Sequence, residues 1–349
     1  MKSSPVVAAV LLLLIVPVLT GCEAPRPGVE QVRVVSLSVP GTPWHDLWLR
    51  FGKRLAALQR DDIEAELFIT GEIGSEETSL ANLRRGRVQI GGFSLQGIAT
   101  VVPELSLLLA PYLFESRDEV DFVLDNFMTA EFDALLAERG MQLLQWAEVG
   151  WTHIYSREPL TGPASAAGLP MRASNALGSR VFAEAIGADL IPVTFSEVIP
   201  ALQTGLIRSG QSGIGMFAIA GIAREARHLT LTRHAFDSGL IVANRDWFMA
   251  LSDEHRRILI GAMDTTEQAR QAIRTSLEEM SAGFVVAGVT VSTPSAEQQR
   301  AWQATTEGSH QRMVERIGGS APRVYAAILE AKAAWRARAP MQSETTLDN

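Results

Sequence analysis

The chain contains few residue patterns that could support catalysis. Its only cysteine is Cys22, so the rest of the chain has no thiol for nucleophilic attack or for zinc binding. None of the six histidines lies in an HExxH motif. Ser94 lies in segment 92–97, which has one residue too many for a Gly-x-Ser-x-Gly elbow. Segment 213–218 fits G-x-G-x-x-A, but no clear strand runs into it. We therefore predict that the protein is not an enzyme and needs no cofactor or metal.

The composition is that of an ordinary globular protein. The chain has 349 residues, of which 47% are hydrophobic and 20% are charged, and its net charge is −8. This mixture excludes a wholly disordered or collagen-like chain. An acidic chain without a basic block is a poor partner for nucleic acid, so we expect no nucleic acid binding. The length is enough for two domains with separate cores.

The N-terminus has the pattern of an export signal. Lys2 precedes an apolar run over residues 6–19, which is too short to span a membrane. The run ends at Leu-Thr-Gly-Cys22, which resembles the bacterial lipobox, in which the cysteine is acylated and becomes the mature N-terminus. We predict a lipoprotein signal peptide at 1–21, a Pro-rich tether at 22–30 and a lipid-anchored protein in the periplasm. An incidental cysteine after an ordinary signal peptide is the alternative.

The hydrophobic pattern after residue 31 predicts an α/β fold. Short β-rich runs alternate with amphipathic helices, as in a sheet that is covered by helices. A helical pattern continues from 253 to 282. We predict one lobe from 31–149 plus about 238–275, and a second from 150–237 plus about 276–338. Residues 339–349 are predicted to form a disordered tail.

Segment 168–205 carries a specific resemblance. Its Gly-Leu-Pro-Met-Arg172-Ala-Ser-Asn175, Ile-Gly-Ala-Asp-Leu-Ile-Pro-Val and Phe195-Ser-Glu-Val-Ile-Pro-Ala-Leu-Gln-Thr-Gly closely resemble the solute-binding subunits of tripartite ATP-independent periplasmic (TRAP) transporters, the C4-dicarboxylate-binding family. Weaker similarity extends the match to about 32–335. The resemblance implies a two-lobed periplasmic binding protein of type II-like fold, with mixed β-sheets flanked by helices and a long helix spanning both lobes.

The same resemblance implies a site for a carboxylate. A planar guanidinium can replace the lost hydration of a carboxylate with two parallel charge-assisted hydrogen bonds. In the family, the arginine at the position of Arg172 binds the ligand carboxylate. The residue at Asn175 assists it, and the aromatic ring at Phe195 packs on the ligand. The alternative for Arg172 is an ion pair with a neighbouring acid.

The chain also departs from the family pattern. Ser212 stands where the family commonly has an asparagine, and Thr152 stands where sialic acid binders have a second arginine. His153 is a candidate second donor. Glu76, in a segment that resembles the family, and Ser94 complete the candidate ligand-binding residues. The missing cation argues against sialic acid and leaves the substrate class open.

These observations predict a lipoprotein that captures a small organic acid by cleft closure. Its expected partners are the TRAP membrane subunits and, through Cys22, a membrane. Three alternatives remain: a ligand that is not a carboxylate, a scaffold without a ligand, and a hydrolase that uses Ser94 or Ser212.

Overall fold

The computed structural model describes residues 28–338 except 175 and 194–196. The predicted signal peptide, Cys22, Asn175, Phe195 and the predicted tail lie outside the described residues. The strands are β1 (Glu30–Val35), β2 (Ile63–Phe68), β3 (Ile90–Ser94), β4 (Met141–Ser156), β5 (Pro170–Ala173), β6 (Asp189–Pro192), β7 (Ser209–Gly213), β8 (His228–Asn244) and β9 (Thr290–Ser292).

Helices lie between and after these strands. The α-helices are α1 (Pro43–Ala57), α2 (Glu76–Arg84), α3 (Leu95–Ile98), α4 (Arg117–Val123), α5 (Thr129–Ala137), α6 (Leu177–Ala185), α7 (Val198–Thr204), α8 (Ile214–Ile219), α9 (Ile222–Glu225), α10 (Arg245–Ala250), α11 (Asp253–Ala262), α12 (Thr266–Gly283), α13 (Ala296–Thr305), α14 (Ser309–Ile317) and α15 (Ala321–Arg338). A π-helical turn (Leu124–Met128) joins α4 to α5, and 3₁₀ turns lie at Pro103–Leu109 and Pro163–Ser165.

The strands form one mixed sheet in the described part of the chain. Its order is β2-β1-β3-β8-β4-β7-β5-β6, and β9 pairs with β8. Strands β1, β2 and β3 are parallel to one another, as are β5, β6 and β7. Strand β8 is antiparallel to β3 and β4, and β4 is antiparallel to β7. Two parallel units are thus joined by a central antiparallel pair.

The central strands β4 and β8 run through both units. One half of β8 pairs with β3, and β7 pairs with the opposite half of β4. Three register shifts interrupt the β4–β8 pairing, one of them between Glu148 and Gly150. Gly150 has a φ of 105°, which favours glycine. The predicted boundary between residues 149 and 150 therefore falls inside a continuous strand, and the division into lobes stays a prediction.

The predicted helix over 253–282 is two helices. Met263 ends α11, and Thr265 begins α12 by accepting a hydrogen bond from the Gln268 N–H while the Gln268 side chain accepts one from the Thr265 N–H. This capping box is a local signal for a new helix, and it explains why the hydrophobic period does not continue. Helix α12 contacts α1, α8 and strand β4.

The core lies on both faces of the sheet. One cluster packs α1 and α11 against β1 and β8, with Phe51 and Leu259 at its centre. A second cluster covers the other face with α2 to α5 and α15. Two smaller clusters around Phe217 and Phe182 cover the β4–β7–β5 part of the sheet. No helix among the described residues is long and apolar enough to cross a membrane.

Candidate functional site

Arg172 lies in a row of residues across three neighbouring strands. Tyr155 of β4 pairs with Gly210 of β7, and the parallel register of β7 with β5 places Arg172 next to Gly210. A Cβ at position 210 would overlap the Tyr155 phenol. Because Gly210 has no side chain, the phenol extends across β7 toward Arg172.

The Arg172 guanidinium is half-buried near the carboxyl ends of the parallel strands. Its Nε donates a hydrogen bond to the Val193 carbonyl oxygen at 3.2 Å. Burial lowers the pKa of Arg172, and interaction with Tyr155 partly offsets that effect. The guanidinium stays charged, because its unperturbed pKa is so high. The electrostatic attraction between a cation and an incoming anion is stronger when the cation has lost part of its hydration than when it is exposed to water.

Two buried hydroxyls belong to Tyr155, next to Arg172 in the strand register, and to Ser174, next to it in sequence. Tyr155 is 1% exposed and Ser174 is 7% exposed, and neither hydroxyl has a hydrogen-bond partner in the described part of the chain. Burial raises the pKa of Tyr155 to about 12, so the phenol is protonated and can donate. Ser174 directly follows the last residue of β5 and lies two residues after Arg172 in sequence. Unpartnered buried hydroxyls are costly, so they mark a place where a polar ligand group could bind.

His153 and Ser212 face each other on β4 and β7. The His153 Nδ1 accepts a hydrogen bond from the Arg233 backbone N–H at 3.2 Å, and burial lowers the pKa of His153 to about 3. The ring is neutral, so it can act only as a neutral donor. Ser212 donates from its Oγ to the Gly213 carbonyl at 3.0 Å. His153 also lines a cavity of about 450 Å³ with Trp151 and Arg233.

Thr152 does not share this face. Its register partner is Gly213, and the alternation along β4 directs the Thr152 side chain to the face opposite that of His153 and Tyr155. The face that Thr152 shares is the one on which Met171 and Gln211 pack. The structure thus brings Arg172, His153 and Ser212 to one face and separates Thr152 from them.

Glu76 and Ser94 contact each other at the ends of α2 and β3. The Glu76 carboxylate accepts hydrogen bonds from the Ser94 N–H at 2.5 Å and from the Ser94 Oγ at 2.8 Å. The Ser94 Oγ also accepts the Gly97 N–H at 3.0 Å and caps α3. Burial raises the pKa of Glu76. Ser94 therefore donates to a carboxylate, not to a histidine base, which does not fit a serine nucleophile.

Asp237 is a candidate site residue that the sequence analysis missed. It lies on β8 opposite Gly150, and its Oδ1 is buried without a hydrogen-bond partner among the described residues. Burial, together with the negative charge of Glu76, raises the pKa of Asp237 to about 7. The Gln96 side chain donates to it and opposes this shift. The local signal was an acidic residue between two buried neighbours, Phe236 and Ser238.

The family comparison decides what this arrangement belongs to. The family model for bacterial extracellular solute-binding proteins, family 7 (DctP), matches residues 35–317. The chain belongs to this family. It is similar to the 2,3-diketo-L-gulonate-binding periplasmic protein of Escherichia coli, with 26% identity over 246 residues, which is 70% of this chain and 75% of the relative. It is also similar to the ectoine-binding periplasmic protein of Halomonas elongata, with 26% identity over 268 residues, 74% of this chain and 77% of the relative.

Solved structures of TRAP periplasmic solute-binding proteins share this fold. A TRAP periplasmic solute-binding protein from Roseobacter denitrificans with bound β-D-glucuronate matches with a TM-score of 0.78 and 24% identity, over 86% of this chain and 99% of that one. The predicted two-lobed α/β fold and the TRAP resemblance are confirmed. Family 7 consists of periplasmic substrate-binding proteins of transporters, so the prediction that this chain is not an enzyme is also confirmed.

Proposed function

We propose that this family 7 protein is a lipid-anchored periplasmic receptor that captures a small sugar acid and delivers it to the membrane subunits of a TRAP transporter. The observation that carries the ligand class is the half-buried Arg172 guanidinium beside two unpartnered buried hydroxyls. A carboxylate can accept hydrogen bonds from both hydroxyls and pair with the guanidinium charge, since its two oxygens accept several hydrogen bonds. Asn175 follows Arg172 by three residues, and Phe195 belongs to the same segment 168–205 that resembles the family. We assign Asn175 the family role of assisting the arginine, and Phe195 the role of packing on the ligand.

The other end of the ligand is proposed to carry hydroxyl groups. Glu76 and Asp237 present carboxylate oxygens, and the buried Oδ1 of Asp237 needs a donor. Hydroxyl hydrogens are donors that neither repel Arg172 nor add charge. An acid with several hydroxyls therefore fits both sets of groups, and sugar acids are named for the relatives from Escherichia coli and Roseobacter denitrificans. A C4-dicarboxylate would place a second negative charge near Glu76 and Asp237.

Capture is proposed to work through closure of two lobes, 31–149 plus about 238–275 and 150–237 plus about 276–338. A ligand that contacts groups from both lobes binds the closed state better than the open state and shifts the population toward it. Closure also removes water from the ion pair with Arg172, which strengthens the pair. The released ligand would then enter the membrane subunits.

Anchoring is proposed to occur through acylation of Cys22. The cysteine follows the apolar run at the position where a lipobox has it, and it is the only cysteine in the chain. A diacylated N-terminus and a polar tether over 22–30 would keep the receptor next to the transporter.

A ligand screen tests this proposal. Thermal unfolding is measured with D-glucuronate, D-galactonate, succinate and ectoine, and with galactitol as the matched polyol that lacks a carboxylate. We expect the melting temperature to rise with at least one sugar acid and not with galactitol. Stabilisation by galactitol alone would favour a ligand that is not a carboxylate, and stabilisation by ectoine alone would favour a carboxylate that is not a sugar acid. No shift with any compound would favour the scaffold.

A further inference from the structure

Trp44 connects the start of α1 to the central strand β4. Its indole Nε1 donates a hydrogen bond to the Glu148 backbone carbonyl at 2.8 Å, across 104 residues of sequence. The Glu148 side chain is buried and accepts a hydrogen bond from Arg274 of α12 at 2.8 Å. Because the acceptor is held by a strand and by an ion pair, the Trp44 ring has a fixed position.

The outer edge of the Trp44 ring packs against Gly215 of α8. A Cβ at position 215 would lie 2.7 Å from the Trp44 Cη2 and 3.3 Å from the Leu277 Cδ2, which is too close for the ring to accept without moving. Gly215 is buried and belongs to the segment 213–218 that matches G-x-G-x-x-A. The glycine in this motif therefore has a packing role, because its missing side chain leaves space for the Trp44 ring of α1, which packs on the β1–β2–β3 unit.

Leu277 of α12 completes this contact. Its Cδ2 faces Gly215, and its Cδ1 would lie 3.0 Å from a Cβ at Gly150. Gly150 is the glycine at a register shift of β4. Two glycines thus allow one helix, one strand and one indole ring to approach closely. All three belong to different parts of the chain, on both sides of the predicted division into lobes.

We propose that Trp44 is a positioning residue for ligand capture: its contact with Gly215 sets how closely the two lobes approach, and hence the width of the site at Arg172. This inference rests on the proposed division into lobes but not on the identity of the ligand. Packing interfaces have discrete arrangements, so an added methyl group at this contact is transmitted as a rigid displacement of one lobe.

Spin-label distances test the inference in the full chain with Cys22→Ser, which removes the only native cysteine. Labels are placed at Ala130→Cys and Thr204→Cys, which are exposed and lie on the two proposed lobes. The variants are Gly215→Ala, Trp44→Phe and the double variant. Gly261→Ala is the matched control, because a Cβ there meets nothing within 4 Å.

We expect Gly215→Ala to lengthen the shortest distance that the labels reach, with D-glucuronate and without it. We expect it to weaken D-glucuronate binding about tenfold through faster dissociation. The smaller ring of a phenylalanine frees the space of the Trp44 Cη2, so Trp44→Phe combined with Gly215→Ala should restore the distance. A melting temperature close to that of the control would show that the variants fold.

An unchanged shortest distance in Gly215→Ala would overturn the inference, as would a double variant with no recovery. If D-glucuronate binds none of the variants and not the wild type, the proposed ligand is wrong, while the ligand-free distances still decide the role of Trp44.

Discussion

The Tyr155 phenol occupies the space above Gly210 that any other side chain at position 210 would need. This relationship allows a residue of β4 to interact with Arg172 two strands away, and it leaves the phenol hydroxyl buried without a partner among the described residues. The arrangement costs folding free energy and provides a donor beside a guanidinium. Such a cost is typical of a site that awaits a ligand.

Replacement of Arg172 should remove ligand binding while the protein stays folded. We expect Arg172→Gln to weaken sugar acid binding by about 100-fold or more, and Arg172→Lys to weaken it less, because lysine keeps the charge but not the two parallel donors. Calorimetric titration measures both. The matched control is Arg208→Gln, since Arg208 pairs with Glu158 at an exposed position and such pairs contribute little. Equal affinities for Arg172→Gln and the control would refute the assignment.

Tyr155→Phe should change stability and binding in opposite directions. Removing an unpartnered buried hydroxyl should stabilise the unliganded protein by about 1 kcal/mol, because burying it cost free energy. The ring still stacks on Phe217, whose centroid lies 6.3 Å away. Binding of the sugar acid should weaken about tenfold, because a donor is lost. Urea unfolding and calorimetry measure the two effects, and a destabilised variant with wild-type affinity would contradict the prediction.

In the wild type, burial of Asp237 should lower the free energy of unfolding as the pH rises from 4 to 7, and Asp237→Asn should abolish this decrease. The pKa of Asp237 is raised from 3.8 to about 7, so the folded state holds a proton that the unfolded state has released in this window. The contribution of Asp237 to stability is therefore full below about pH 4 and declines as the pH rises through 7.

The buried His153 and His234 act in the opposite sense. Their pKa values are lowered, so their contribution is present above pH 6.5 and is lost as the pH falls. The measurement is consequently the difference in melting temperature between wild type and Asp237→Asn as a function of pH. We expect the melting temperature of the variant, relative to that of the wild type, to increase as the pH rises from 4 to 7. A difference that does not depend on pH would show that Asp237 is ionised throughout.

Cys22→Ala should release the protein from the membrane without changing its ligand affinity. The acyl chains supply the membrane binding, whereas the site lies in the folded part of the chain. Labelling with a radioactive fatty acid and fractionation of cells measure anchoring. Wild-type protein that carries no label and fractionates with soluble periplasmic proteins would contradict the lipobox assignment.

Local patterns were enough to predict the regular elements of the first part of the chain. Trp48, Phe51 and Leu55 recur at the spacing of a helix in α1, and apolar residues alternate with polar ones in β2. Strand β8 was not predicted, because its buried positions include Thr230, Thr232 and His234. Thr232 and Gln211 hydrogen-bond to the buried His234, and hydropathy does not detect such a network.

The site was predictable only where a motif carried it. Arg172, Asn175 and Phe195 came from one continuous segment, whereas the effect of Glu76 on Asp237 joins residues far apart in sequence. The Thr152 assignment relied on position alone, and the register of β4 directs that side chain to the other face. Thr265 and Gln268 have the spacing of a capping box, which indicates the start of α12. The hydrophobic period that continues from 253 to 282 instead favoured a single helix.

Strands β4 and β8 each belong to both halves of the molecule, and they pair with each other over most of their length. Cutting the gene between β4 and β8 therefore cannot yield two independently folding fragments, since each product would lack one of the two paired central strands. A biosensor based on this receptor should accordingly keep the polypeptide intact and carry its reporter groups as insertions in surface loops.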